Sequence, residues 1–322
     1  MTFPANVPGY DLTKSRAVRA AATALLITLT ASCQASVSSR HTSGQASGAP
    51  AASSIVPVTG SSSPTTTSAP THSKAPAAAC EEVWKQPRPA PAGTSSTSRV
   101  KPISAALAHC LEGTTLRSTV PDCAPASQLH LLEVPYRNFN DQIVYGQLII
   151  SVALAPALGK VFDHILRDTR FQIEHILLPE AVTTVPKSED PQVGRLVDNQ
   201  IMELNLTSGY NCRAFEQGGI DKHGNGIALD INPVQNPMTI SNPKPGEATL
   251  SPAAAVKYRQ QADFTKEPHR RRILGRKYQD GGAVIALFEA AGYTWGGCFL
   301  DPDMQHFDHR SDMAVRHRCG VA

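Results

Sequence analysis

The stretch Lys222-His223-Gly224-Asn225-Gly226-Ile227-Ala228-Leu229-Asp230-Ile231-Asn232-Pro233 sets a histidine and an aspartate on either side of a glycine turn and a short apolar run. Ile227, Leu229 and Ile231 alternate with Ala228 and Asp230, which is strand periodicity. Asp230 is therefore expected on the face opposite Leu229. Gly226 allows the loop carrying His223 to fold back, so that the imidazole meets the Asp230 carboxylate. An imidazole and a carboxylate that converge make half of a zinc site. The rest must come from elsewhere, and Asp303-Met304-Gln305-His306-Phe307 is the candidate.

Working outward, composition divides the 322-residue chain unevenly. Residues 1–33 carry Lys14, Arg16 and Arg19, an uncharged run from Ala20 to Ser32, and then Cys33. A basic start, a short apolar run and small residues before a cysteine read as an export signal. The run is shorter than the roughly 20 apolar residues needed to span a bilayer. Thr30-Ala31-Ser32-Cys33 resembles a lipoprotein cleavage box with Cys33 as the lipidated residue; the alternative is an ordinary signal peptide cut near Cys33. Residues 34–79 hold Ser, Thr, Ala, Pro and Gly, with neither an aromatic nor an acidic residue, and read as a disordered linker. Its expected use is to tether a folded domain away from the membrane.

Past Cys33 stand Cys80, Cys110, Cys123, Cys212, Cys298 and Cys319. An even count in an exported chain predicts up to three disulfides, with fifteen pairings open. None has CxxC spacing, which argues against a cysteine zinc cluster. Removing residues 1–33, with three bases and Asp11, lowers the formal charge from +3 to +1. That argues against a nucleic-acid partner, which calls for a clustered basic surface. Arg270-Arg271-Arg272 is expected to be a solvated helix face, His269 and His317 ordinary core or surface residues, and Asn225 a turn residue.

Residues 80–130 read as an irregular, cysteine-containing lead-in, and residues 131–322 as the functional domain. Within the latter, Gln142–Val152 and Phe171–Leu178 predict strands. Helices are expected from Pro156 to about Leu166 and around Val193–Leu204. Thr207–Arg213 reads as extended, Pro252–Lys277 as helix-permissive, and Ala283–Ala291 as a buried helix ended by Gly292. Tyr293–Phe299 and Met304–Asp308 close as strands, with Tyr293 and Trp295 in the core. The mixture is α+β.

Four blocks carry a family resemblance: Gly209-Tyr210-Asn211-Cys212-Arg213, His223 through Pro237, Gly292-Tyr293-Thr294-Trp295-Gly296-Gly297, and Asp303-Met304-Gln305-His306-Phe307-Asp308. Their order resembles the D-alanyl-D-alanine carboxypeptidase-like (VanY-type) zinc peptidases, a family that includes L-alanyl-D-glutamate endopeptidases. The resemblance implies a small antiparallel sheet with flanking helices around one zinc site, as in the hedgehog and D-Ala-D-Ala peptidase folds. It makes His223, Asp230 and His306 the zinc ligands and Asp303 the catalytic base, and it turns Arg213 toward the substrate carbonyl or carboxylate. One position departs: where the family usually has serine, two residues before the first histidine, this chain has Asp221.

The chemistry agrees with that assignment. Three protein ligands leave the fourth position of a catalytic zinc open. A carboxylate beside it can move a proton from water to the leaving amine, and an arginine can stabilise the developing oxyanion. Asp303 and His306 need a short bend between them to aim together. Asp308 and His309, next to His306, are candidates to support it, and Cys212 is expected in a disulfide. The function these residues imply is a peptidase acting on peptidoglycan stem peptides outside the cytoplasmic membrane, leaning to cleavage between L-Ala and D-Glu, since an aspartate base resembles the endopeptidase branch. D-alanyl-D-alanine carboxypeptidase activity is the alternative. A wall-binding module that keeps the metal without turnover is the third, and it is disfavoured by the presence of both Asp303 and Arg213.

Overall fold

A computed structural model describes residues 80–91, 96–215, 219–241, 243, 249–310, 315 and 319. The segments expected to be an export signal (1–33, with Cys33) and a linker (34–79) lie outside the described residues, as does His317. Among the described residues no helix is long and apolar enough to cross a membrane.

The principal sheet is antiparallel and built from β1 (Arg88–Pro89), β2 (Arg99–Pro102), β3 (Leu129–Arg137) and β4 (Ile143–Ser151), in the order β1-β4-β3-β2. Helix α1 (Ala105–Leu111) links β2 to the region before β3 and is capped by the Ser104 hydroxyl, which accepts from the Leu107 amide. β3 and β4 pair over nine residues from Leu129↔Ser151 to Arg137↔Ile143. Their sequences lack clean polar alternation because both faces are covered. Leu132, Val134 and Leu148 belong to one apolar cluster, whereas Leu129, Leu131 and Ile149 belong to another with Leu107, Leu111 and the Cys123–Cys212 bridge. Residues 80–130, for which the sequence suggests irregular structure, thus supply two edge strands, a helix and the cover of one sheet face.

Helix α2 (Ala155–Asp168) begins with Pro156 in its first turn and packs Leu158, Phe162 and Ile165 against the other face. The predicted Phe171–Leu178 strand reduces to β5 (His175–Ile176). Phe171 and Ile173 are buried, but their segment forms no ladder with one strand: the Gln172 amide donates to the Arg271 carbonyl in a 3-10 turn and the Ile173 amide to the Arg137 carbonyl at the end of β3. Helix α3 (Pro191–Glu203) is capped by Asp190 and leads to β6 (Leu206–Thr207), which runs parallel to β5.

The second sheet holds the residues of functional interest. β7 (Ala228–Asp230) is followed by the small antiparallel pair β8 (Met238–Thr239) and β9 (Leu250–Ser251). Residues 252–277 are not continuously helical: α4 (Ala254–Gln261) ends well before a 3-10 turn at His269–Arg272. That turn also corrects the expected solvated arginine face. Arg271 is buried and bonded to Glu267 and Asp141, and Arg272 lies over the Phe139 ring. Helix α5 (Gln279–Ala290) follows, with Gly292 at a positive φ of 88° just beyond it. β10 (Thr294–Trp295) stops short of the predicted Phe299 because Gly296–Cys298 forms a 3-10 turn. β11 (His306–Asp308) lies between β10 and β7, antiparallel to both. Phe288 of α5 stacks on Phe307, ring centroids 4.2 Å apart, and meets Phe162 of α2 edge-on. The architecture is α+β, as the sequence indicates, with three disulfides: Cys80–Cys110, Cys123–Cys212 and Cys298–Cys319.

Candidate metal centre

Strand alternation builds the site. In the β7–β11 ladder Leu229 sits opposite Phe307, and both are fully buried; the neighbouring pair, Asp230 opposite His306, therefore projects to the other face. β7 is held on its other edge by Ser208, which exchanges both backbone hydrogen bonds with Asp230. His223 arrives from the 3-10 turn His223–Asn225, which Gly226 closes in the left-handed conformation (φ 65°). A Cβ on Gly226 would also come within 2.9 Å of the Ser151 amide nitrogen.

The three side chains converge. His223 Nε2 lies 3.3 Å from Asp230 Oδ2 and 3.3 Å from His306 Nδ1, and His306 Nδ1 lies 3.0 Å from Asp230 Oδ1. Ligand bonds of about 2.0–2.1 Å in tetrahedral geometry place donor atoms about 3.3–3.4 Å apart, so this spacing fits a small tetrahedral cation. The tautomers fit as well. His223 Nδ1–H donates to the Gly209 carbonyl at 2.7 Å, leaving Nε2 to face its partners. His306 turns Nε2 toward Asp308, 3.6 Å away, and Arg310 Nε donates to both oxygens of that fully buried carboxylate at 2.6 and 2.7 Å. Imidazoles whose second nitrogen is tied to a carbonyl or carboxylate are typical of metal ligands. His309 instead packs edge-on against Tyr293.

Asp303 enters through the bend expected from its spacing. Its amide donates to the Gly296 carbonyl at 3.0 Å, and the His306 amide turns back to the Asp303 carbonyl at 3.3 Å. The Asp303 Oδ1 atom is buried and has no hydrogen-bond partner among the described residues. Burial, opposed by His306 and reinforced by the Asp230 charge, pushes the carboxyl up to about 6.

Arg213 is held more tightly than the sequence indicates. Its Nε pairs with Asp221 and its Nη1 with Asp198, leaving the side chain only 13% exposed. Asp221 Oδ1 accepts from the His223 amide at 2.7 Å and the Gly224 amide at 3.3 Å. Burial raises the Asp221 carboxyl, but the charge and hydrogen bond of Arg213 together with the nearby His223 and His306 outweigh it and hold the group below its ordinary value. Asp198 went unread in the sequence because a helix carries no local mark of its partner. The available signal was its position one turn after Gly194 on α3, hence on the same face. A Cβ on Gly194 would stand 2.4 Å from the Cys212 carbonyl oxygen and 3.0 Å from Arg213 Cβ, so glycine is what lets α3 lie against this segment.

Residues 216–309 match the family described as D-alanyl-D-alanine carboxypeptidase. The matched segment is similar to that family, and it contains His223, Asp230, Asp303 and His306. Arg213 and Asp198 lie before it, so their place rests on geometry. No curated protein and no solved structure matches the chain.

Proposed function

We propose that the protein is a zinc-dependent peptidase that hydrolyses peptidoglycan stem peptides outside the cytoplasmic membrane, cutting between L-Ala and D-Glu. The observation that carries the reading is the His223–Asp230–His306 cluster within a segment of the peptidase family, with Asp303 three residues before its last member. His223 Nε2, Asp230 and His306 Nδ1 would hold the metal in a domain of the hedgehog and D-Ala-D-Ala peptidase type. Zinc supplies Lewis acidity, which makes water nucleophilic near neutral pH.

The chain's own groups have separable tasks. The Asp303 carboxylate accepts a proton from the attacking water and returns it to the leaving amine. Arg213 donates to the oxyanion that develops on the attacked carbonyl. Gly209 and Asp308 fix the two imidazoles. The export signal and the linker at 34–79 support a site of action in the cell envelope, with Cys33 as a lipid anchor. The second reading is D-alanyl-D-alanine carboxypeptidase activity, favoured by the description of the matched family.

Mass spectrometry of muropeptides after digestion with zinc-loaded protein tests the reading. New termini at L-Ala and D-Glu are expected; loss of terminal D-Ala alone would select the second reading, and no cleavage would leave a non-catalytic wall-binding module. Asp303→Asn should retain zinc while kcat falls by about 10²–10⁴-fold. Near-normal turnover with full zinc would assign the base to another group.

A further inference from the structure

Among the described residues, Arg213 pairs directly with two carboxylates from two different elements at the edge of the candidate metal centre. Asp198 approaches from α3 and Asp221 from the turn that leads into His223. All three side chains are largely buried, each with 13% or less of its surface exposed, so water screens their charges poorly. One positive and two negative charges leave this arm of the site net negative. An arginine in that state keeps N–H donors for a neutral carbonyl oxygen, but it no longer presents the unopposed positive charge that a free carboxylate requires.

We propose that Asp198 and Asp221, acting through Arg213, are positioning residues that bias the site against a substrate's free terminal carboxylate and toward an internal amide. The inference rests on the peptidase reading and deepens it, because it gives a physical cause for endopeptidase rather than carboxypeptidase action. Specificity here comes from a repulsive element built beside the attractive one. Asp221 has a second task that explains why its carboxylate stays in place: Oδ1 accepts the His223 and Gly224 amides and so fixes the turn that presents His223. One side chain thereby links the orientation of a metal ligand to the charge offered to the substrate.

Isothermal titration calorimetry on zinc-loaded full-length protein tests the bias without requiring turnover. The probes are acetyl-D-alanyl-D-alanine and its C-terminal amide, which differ only in the terminal charge. Asp221→Asn keeps an oxygen acceptor for the turn while removing the charge, and Asp198→Asn removes a charge from the opposite side without touching the turn. Each is expected to shift the ratio of acid to amide dissociation constants about tenfold toward the acid, the size of effect one charge exerts at short range in a partly buried site. A ratio unchanged in both variants, with zinc bound as in the parent, overturns the proposal. Failure of the parent to cut stem peptides would count against the peptidase reading instead, since the charge bias is read from binding alone.

Discussion

At the scale of single residues, Glu180 shows how a buried carboxyl sets a pH dependence away from the metal. Its Oε1 accepts from the Thr115 hydroxyl, and its Oε2 is buried with no partner among the described residues. Burial pushes the carboxyl up to about 7, above its ordinary value of 4.5. Between those values the folded protein keeps a proton the unfolded chain has lost, so this group's contribution to stability falls as pH rises through the window. The loss is complete above pH 7 and reaches at most about 3 kcal/mol, since each pKa unit corresponds to about 1.4 kcal/mol. Glu180→Gln should therefore raise the melting temperature relative to the parent at pH 8, with the difference shrinking toward pH 5. Parallel melting curves at the two pH values would show that Glu180 is ionised in the folded state throughout. The contrast with the site residues is instructive. His223 and Asp230 were legible from the turn and strand pattern of their own segment, and Asp303 and His306 from the order of blocks that carries the family resemblance. Asp308 was a candidate from its place beside His306, but Asp198 and the Gly209 carbonyl were not legible, since a supporting group is defined by what it touches across the fold.

At the scale of elements, long periodic segments were readable and short pairings were not. Leu158, Phe162 and Ile165 mark α2 without help from the rest of the chain, and β4 differs from its predicted span by a residue at each end. Two-residue strands such as β5 and β10 depend on distant partners and on the turns at Gly296–Cys298, which local propensity does not encode. The approach of α3 to Cys212–Arg213 is another such non-local feature, and it makes a sharp prediction. Gly194→Ala introduces a Cβ 2.4 Å from the Cys212 carbonyl oxygen, so the helix or the Cys212–Arg213 segment must move. Destabilisation of about 1–3 kcal/mol is expected by denaturant unfolding, together with weaker substrate turnover as Asp198 is drawn away from Arg213. Unchanged stability would mean that the α3 contact yields without strain.

At the scale of the whole molecule, the Cys123–Cys212 bridge joins the lead-in to the residue beside Arg213 across 89 positions of sequence. Cross-links that close long loops restrict the unfolded chain most, and removing one typically costs about 2–5 kcal/mol. The double change Cys123→Ala and Cys212→Ala should lower stability by that amount in denaturant unfolding. An unchanged midpoint would show that noncovalent packing alone holds the lead-in against the sheet.

The ladder between β7 and β11 carries a further consequence. Leu229 and Phe307 fill the core from one face while Asp230 and His306 meet on the other, so both pairs rely on a single alignment of the strands. Sliding one strand by a single position would turn His306 into the apolar layer and Phe307 into the cleft. Molecules with misaligned strands would therefore bring together only two of the three groups that could hold a cation. A stoichiometric metal titration of any preparation would count the molecules whose strands are aligned, independently of whether a substrate is at hand.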